Sequence, residues 1–176
     1  NLLLTPPPSP PPPPHPKNFC VFSSRLLDLC TGVGQVRQSQ QQIAAHFLTA
    51  FCLASLQVLV KRRGPSGAIG VGLAQANYSK NKMPGWEPTS HAWHGDDGCT
   101  FNSCGTGAPF SNPWSEGDVI GCGIDFNKKT IFLTRNGALQ GAPFTGVDTA
   151  GLYAIIGCQT KGECVSVSFQ PPFLYD

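Results

Sequence analysis

The stretch Gly117–Gly137 reads GDVIGCGIDFNKKTIFLTRNG, and it decides the class of the fold. From Asp118 to Phe126 the residues alternate, placing Ile120, Cys122, Ile124 and Phe126 on one face. That period of two marks a half-buried strand. Thr130–Arg135 repeats the pattern, so Asn127–Lys129 is the connection between two antiparallel strands. Asn136-Gly137 then supplies a tight turn, because both residue types tolerate positive φ. Working outward, Leu152–Gly157 reads as another strand. In Glu163–Phe169, Val165, Val167 and Phe169 share one face, opposite Cys164, Ser166 and Ser168. Upstream, Ala68–Leu73 is a short strand of small residues, and Ala74–Ser90 is a long loop rich in Asn, Lys and Pro. Short strands at this spacing, separated by turn residues, predict an all-β, antiparallel sandwich.

Composition agrees. Charged residues make up 12% of the 176 residues, against about 25% in an average soluble chain. There are 20 glycines and 17 prolines, which argues against a helical bundle. Nine of the prolines lie in residues 1–16, and 18 of the glycines lie from Gly64 onward. Net charge is +2, which does not point to nucleic acid. Residues 1–63 carry +5 and residues 64–176 carry −3. The sequence opens on Asn1 and not Met, so a longer chain upstream is the expectation.

Residues 1–33 are expected to be a disordered, Pro-rich tail, with the domain spanning 34–176 and its core 56–173. Thr5–Pro16 reads TPPPSPPPPPHP, which lacks the backbone donors a helix or central strand needs. It is an extended spacer, and its functional alternative is a docking site for an SH3- or WW-type domain. Phe19, Val21 and Phe22 could begin a strand. Ile43–Val60 is 18 residues without a formal charge, followed by Lys61, Arg62 and Arg63. As a helix it would be about 27 Å long, near a bilayer core. This gives a membrane-anchored alternative; the competing reading ends the segment as a buried strand, Leu56–Val60.

Candidate chemistry is sparse. Eight cysteines show no CxxC pair, and Cys122 and Cys158 sit in apolar strands. Reduced thiols and a cytoplasmic setting, with the nucleus as the other possibility, are the expectation. His91, His94, Cys99 and Cys104 offer zinc-ligand types, but their spacing matches no common finger, so neither metal nor cofactor is expected. There is no GxSxG elbow and no P-loop, and catalysis is not expected. Asn77-Tyr78-Ser79 is a glycosylation sequon, read as a chance match. Trp86, Trp93 and Trp114 all lie near Gly/Pro turns, either as interface anchors or as caps on the core.

Taken in order, Gly70–Leu73 (GVGL), Met83–Glu87 (MPGWE), Trp93–Gly98 (WHGDDG), Ser103–Gly107 (SCGTG), Gly117–Ile124 and Ile131–Gly137 resemble the core of a SPRY domain. Leu152-Tyr153, Gly162-Glu163 and Pro172-Phe173 continue the likeness, and the wording PGWE…HGDDG…GTG…GDVIGCG looks like the RanBPM group. Val36-Arg37 is a faint upstream echo, and the family's YFEV strand is altered here. The resemblance implies a bent sandwich and a non-catalytic module that binds a short peptide or partner domain through loops at one end. Carried over by position, the contact residues are Asn81, Lys82, Trp93, His94, Asp96, Asp97, Gln159, Thr160 and Lys161. It also implies that Leu56–Val60 is a strand. RanBPM-type chains continue into LisH and CTLH segments of a ubiquitin ligase scaffold. This sequence ends at Asp176, and a stand-alone or truncated SPRY adaptor is the expectation.

Overall fold

The computed structural model describes residues 27–30, 53–79 and 81–169, with side chains from residue 55 onward. The Pro-rich run, Phe19–Phe22, Val36-Arg37, residues 43–52 and Pro172-Phe173 lie outside the described residues. All the regular elements described are strands. One sheet has the order β1-β11-β2-β7-β8-β9, built from β1 (Leu27–Cys30), β2 (Leu53–Arg62), β7 (Val119–Asp125), β8 (Thr130–Arg135), β9 (Ala138–Thr145) and β11 (Cys164–Ser168). The other has the order β10-β3-β4-β5-β6, from β3 (Ile69–Gln75), β4 (Ser90–His94), β5 (Cys99–Asn102), β6 (Ala108–Pro109) and β10 (Leu152–Cys158). Every pairing is antiparallel.

The core lies between the inner faces. Leu56, Val58 and Val60 of β2 stand beside Ile120, Cys122 and Ile124 of β7 and Val165 and Val167 of β11. Facing them are Val71 and Leu73 of β3, Trp93 of β4, and Ala154 and Ile156 of β10. Each such aliphatic side chain contributes about 1.5–3 kcal/mol when fully buried. Asn136 (φ 52°) and Gly137 (φ 81°) form the β8–β9 turn, and the positive φ at both is what a two-residue hairpin demands.

β2 is a central strand between β11 and β7. This overturns the membrane reading of Ile43–Val60 for its described half. Alternate residues of β2 enter the core, as a sandwich strand requires. Among the described residues, no helix is long and apolar enough to cross a membrane. Two further expectations change. β1 falls inside the segment read as tail, yet it pairs along β11 from Leu27↔Val167 to Cys30↔Cys164. Cys164 is disulfide-bonded, whereas the thiols were read as reduced. Cys99, Cys104, Cys122 and Cys158 are free. Burial pushes the Cys122 and Cys158 thiols up to about 12, so both act as small hydrophobes.

The outer face of the β3/β4/β10 sheet is covered by its own chain. The connection from β3 to β4, described at residues 76–79 and 81–89, folds over that face. Pro84 lies against Gly70 and Gly157, and Gly85 (φ 87°) against Ala92 and Phe101. A methyl group at Gly157 would stand 2.5 Å from Pro84 Cδ, so glycine is what lets the cover sit down. Tyr78 pins it, donating its hydroxyl to the Met83 carbonyl at 2.5 Å and packing on Ala74 and Ile155.

Candidate functional site

β3 begins where β4 and β10 end, so three connections share one end of the sandwich. The Gly95 amide donates to the Ile69 carbonyl (2.8 Å), and the Gln159 amide donates to the Ala68 carbonyl (3.1 Å). The β4–β5 turn and the β10–β11 loop therefore flank the Arg63–Ala68 connection. Met83 and Pro84, against Gly157 and Gly70, bring the covering loop to the same region. Asn81, Lys82, Asp97 and Lys161 are exposed there, and Asp96, Gln159 and Thr160 are half-buried.

Two expected contact residues are not on this surface. Trp93 is wholly buried, packed edge-on against Trp114 (4.9 Å) and Phe110 (5.5 Å), with its Nε1 donating to the Gly98 carbonyl at 3.2 Å. The strand register decides this: position 93 falls on the inner face of β4, facing the other sheet. His94 is also buried, on the outer face beneath the covering loop. Its Nε2 donates to the Pro84 carbonyl at 2.8 Å, and its ring stacks on Phe101 at 4.0 Å. Burial holds the His94 pKa below the usual histidine value; the Pro84 bond and the charges of Asp96 and Asp97 offset only part of that. A buried tryptophan and a buried neutral imidazole offer a partner no surface.

The remaining loops are held rigidly. Glu163 is fully buried, yet it accepts from Ser66 Oγ (2.8 Å), Thr160 Oγ1 (2.6 Å) and the Thr160 amide (2.9 Å). Ser66 Oγ also lies 2.9 Å from Thr160 Oγ1. One carboxylate thus ties the β2–β3 turn to the β10–β11 loop, and charge-assisted bonds of this kind contribute about 1.5–3 kcal/mol each. Asp97 Oδ1 accepts from the Cys99 amide at 2.8 Å, tying down its own turn as aspartates commonly do. Asp96 Oδ1 is buried without a hydrogen-bond partner, as is Trp114 Nε1. Nearby, Asp118 accepts from Arg135 Nη2 (2.6 Å), the Ser115 amide (2.6 Å) and Asn136 Nδ2 (2.8 Å). Burial alone would raise the Asp118 pKa, but these donors outweigh it and hold the carboxyl below its ordinary value.

Sequence reasoning passed over Ser66 and Glu163. An acid beside a glycine with positive φ (Gly162, 99°) was the available signal, but only the structure shows that it faces inward. The four zinc-ligand types do not converge. His91 Nδ1 bonds Asn102 Oδ1, His94 bonds Pro84, and Cys104 Sγ faces the Thr106 carbonyl. Among the described residues, no group of three or more His, Cys, Asp or Glu side chains is placed to hold a metal ion.

Comparison with known proteins gives the same architecture a family. The family model described as "SPRY domain" matches residues 56–172. Ran-binding protein 10 of Danio rerio is 39% identical over 135 residues, covering 76% of this chain and 22% of that protein. Ran-binding protein 9 of Homo sapiens is 39% identical over 135 residues, covering 76% of this chain and 18% of that protein. The chain therefore spans about a fifth of the length of these relatives. A crystal structure of a human SPRY domain superposes with a TM-score of 0.65 at 33% identity, covering 68% of this chain and 78% of that one. With the family model matched over residues 56–172 and a two-sheet sandwich that superposes on a solved SPRY domain, the chain belongs to the SPRY domain family.

Proposed function

We propose that this SPRY domain is a non-catalytic interaction module that grips a short peptide segment or a partner domain. The contact surface is the loop end described above: Asn81, Lys82, Asp96, Asp97, Gln159, Thr160 and Lys161, with Ser66 at its centre. The observation that carries this reading is the Glu163 brace, which holds two of the loops in fixed relation beneath an exposed, polar surface. A preformed surface loses little entropy on binding. His94 and Glu163 are already committed to internal hydrogen bonds, which supports binding over acid–base chemistry. The likeness to Ran-binding proteins 9 and 10 supports an adaptor or scaffold role, and we extend it to membership of a ubiquitin ligase complex.

The test is selection of binding peptides from a displayed library against the full chain. Binders are then measured by calorimetry against Gln159→Ala with Lys161→Glu. We expect affinity to fall at least about tenfold, with an unchanged unfolding midpoint. Binders that ignore these changes would place the contact surface elsewhere.

A further inference from the structure

The opposite end of the sandwich, where β3 and β5 finish and β10 begins, holds a cleft of about 360 Å³. That is within the range of small-ligand sites, about 300–1,000 Å³. Gln75, His91, Asn102, Phe144 and Asp148 are among its walls. Two rim residues, Thr89 (φ 64°) and Ser103 (φ 58°), hold the left-handed backbone that residues other than glycine seldom adopt. Strained backbone of this kind concentrates at binding sites.

The polar groups of the walls are fixed, and they are mostly acceptors. Gln75 Nε2 donates to the Ala150 carbonyl (2.8 Å), which leaves Gln75 Oε1 as the free end of its amide. Asp148 Oδ1 accepts from the Ala150 amide (3.1 Å), which leaves Oδ2. His91 Nδ1 donates to Asn102 Oδ1 at 2.8 Å, so His91 Nε2 carries a lone pair while Asn102 keeps its Nδ2 as a donor. The His91 ring lies 5.2 Å from Phe144, tilted by 50°. Burial lowers the His91 pKa, so the ring is neutral near pH 7. Among the described residues, neither lysine nor arginine lines the cleft. Lys129, whose carbonyl accepts from the Val147 amide, is exposed outside it.

Acceptors in excess, one carboxylate, no cation and an aromatic wall suit a donor-rich, positively charged group. The guanidinium has five donors, no acceptor and a flat face for a ring. We propose that this cleft is a second binding site, distinct from the loop end, and that it takes an arginine side chain from an extended segment of a partner protein.

The test uses the full 176-residue chain, labelled with ¹⁵N. It is titrated with capped Ala-Arg-Ala, the same peptide with citrulline for arginine, and free arginine. The proposal expects saturable shifts at His91 and at Thr145–Asp148 with the arginine peptide. It expects about tenfold weaker binding of the citrulline peptide, which keeps the shape and loses the charge. Asp148→Asn keeps Oδ1 for the Ala150 amide and removes the charge, and should weaken the arginine peptide about tenfold. Free arginine should bind more weakly than the peptide. Equal binding of the citrulline peptide, or a full effect surviving in folded Asp148→Asn, overturns the proposal. So do shifts that never saturate or that fall at Gln159–Lys161 instead. If free arginine binds as well as the peptide, the site takes a small molecule and the partner-protein assignment fails. The citrulline comparison needs no variant, so a poorly folding Asp148→Asn leaves the proposal testable.

Discussion

Replacing Trp93 with alanine should unfold this domain well before it could impair binding. The indole is 0% exposed and meets Trp114 and Phe110 edge-on. Truncating a buried tryptophan to alanine costs about 3–5 kcal/mol, from the lost burial of the removed atoms plus the cavity left behind. The edge-to-face pairs fall within that range and are not added to it. The lost bond to the Gly98 carbonyl matters less, because that carbonyl also accepts from the Ser111 amide at 3.0 Å. Against a total stability of about 5–15 kcal/mol, a loss near 4 is a large fraction. For a domain of this size it corresponds to a fall in Tm of about 15 °C. The assay is urea unfolding followed by far-ultraviolet circular dichroism, so that removing the tryptophan does not remove the signal. Trp93→Phe is the companion variant, keeping the ring contacts and losing the Gly98 bond, with an expected loss of about 1–2 kcal/mol. The reasoning is refuted if Trp93→Ala unfolds within about 1 kcal/mol of the parent and yet loses a bound partner. That pair of results would put the side chain on a surface.

Two further predictions concern the cover over the β3/β4/β10 sheet. Gly157→Ala should destabilise by about 1–3 kcal/mol, since its methyl group would push against Pro84; hydrogen exchange should rise in residues 76–89, and an unchanged exchange pattern would show that the cover does not depend on this contact. Stability should also decline as pH falls below about 6.5, because the unfolded chain protonates there while buried His94, with its lowered pKa, does not. His91 adds to the same trend, and Asp118 adds to it only below about 3.8, where its unfolded carboxyl protonates. Chemical unfolding between pH 7.5 and 5 should give a shallower slope for His94→Gln than for the parent; equal slopes would contradict the burial of this ring.

Sequence reading located β7, β8 and β11 by their apolar alternation, and β3, β10 and the end of β2 as short runs of small or apolar residues between turn residues. β4 and β5 were missed because SHAWH and CTFN are short and bury residues on both faces, the inner one in the core and the outer one under the 76–89 cover. With both faces covered, no alternation survives. β9 was missed because its residues are mostly exposed and its pairing with β8 is irregular. The same cause explains the site. Family position alone put Trp93 and His94 among the contacts, but burial is set by strand register and by a distant loop, neither of which residue type reveals. Asp97 and Lys161 could be read as surface groups from their turns. Glu163 could not, because an acid in a turn ordinarily faces water, and this one is turned inward onto Thr160, in its own loop, and Ser66, far away along the chain.

The order β1-β11-β2 has a consequence for synthesis. Of the described strands, β11 is made last, and it inserts between β1 and β2, the first two of them. Until it emerges, β2 has one open edge, and Val58 and Val60 lack their neighbours Val167 and Val165. Pairings across so much chain close slowly, because a large loop must be fixed before any contact forms. A ribosome that stalls before Cys164 therefore holds a sandwich with an unfilled slot, a bare strand edge and a core that lacks Val165 and Val167. That is the state in which a chaperone, or a second nascent copy supplying its own β11, would find the most to bind.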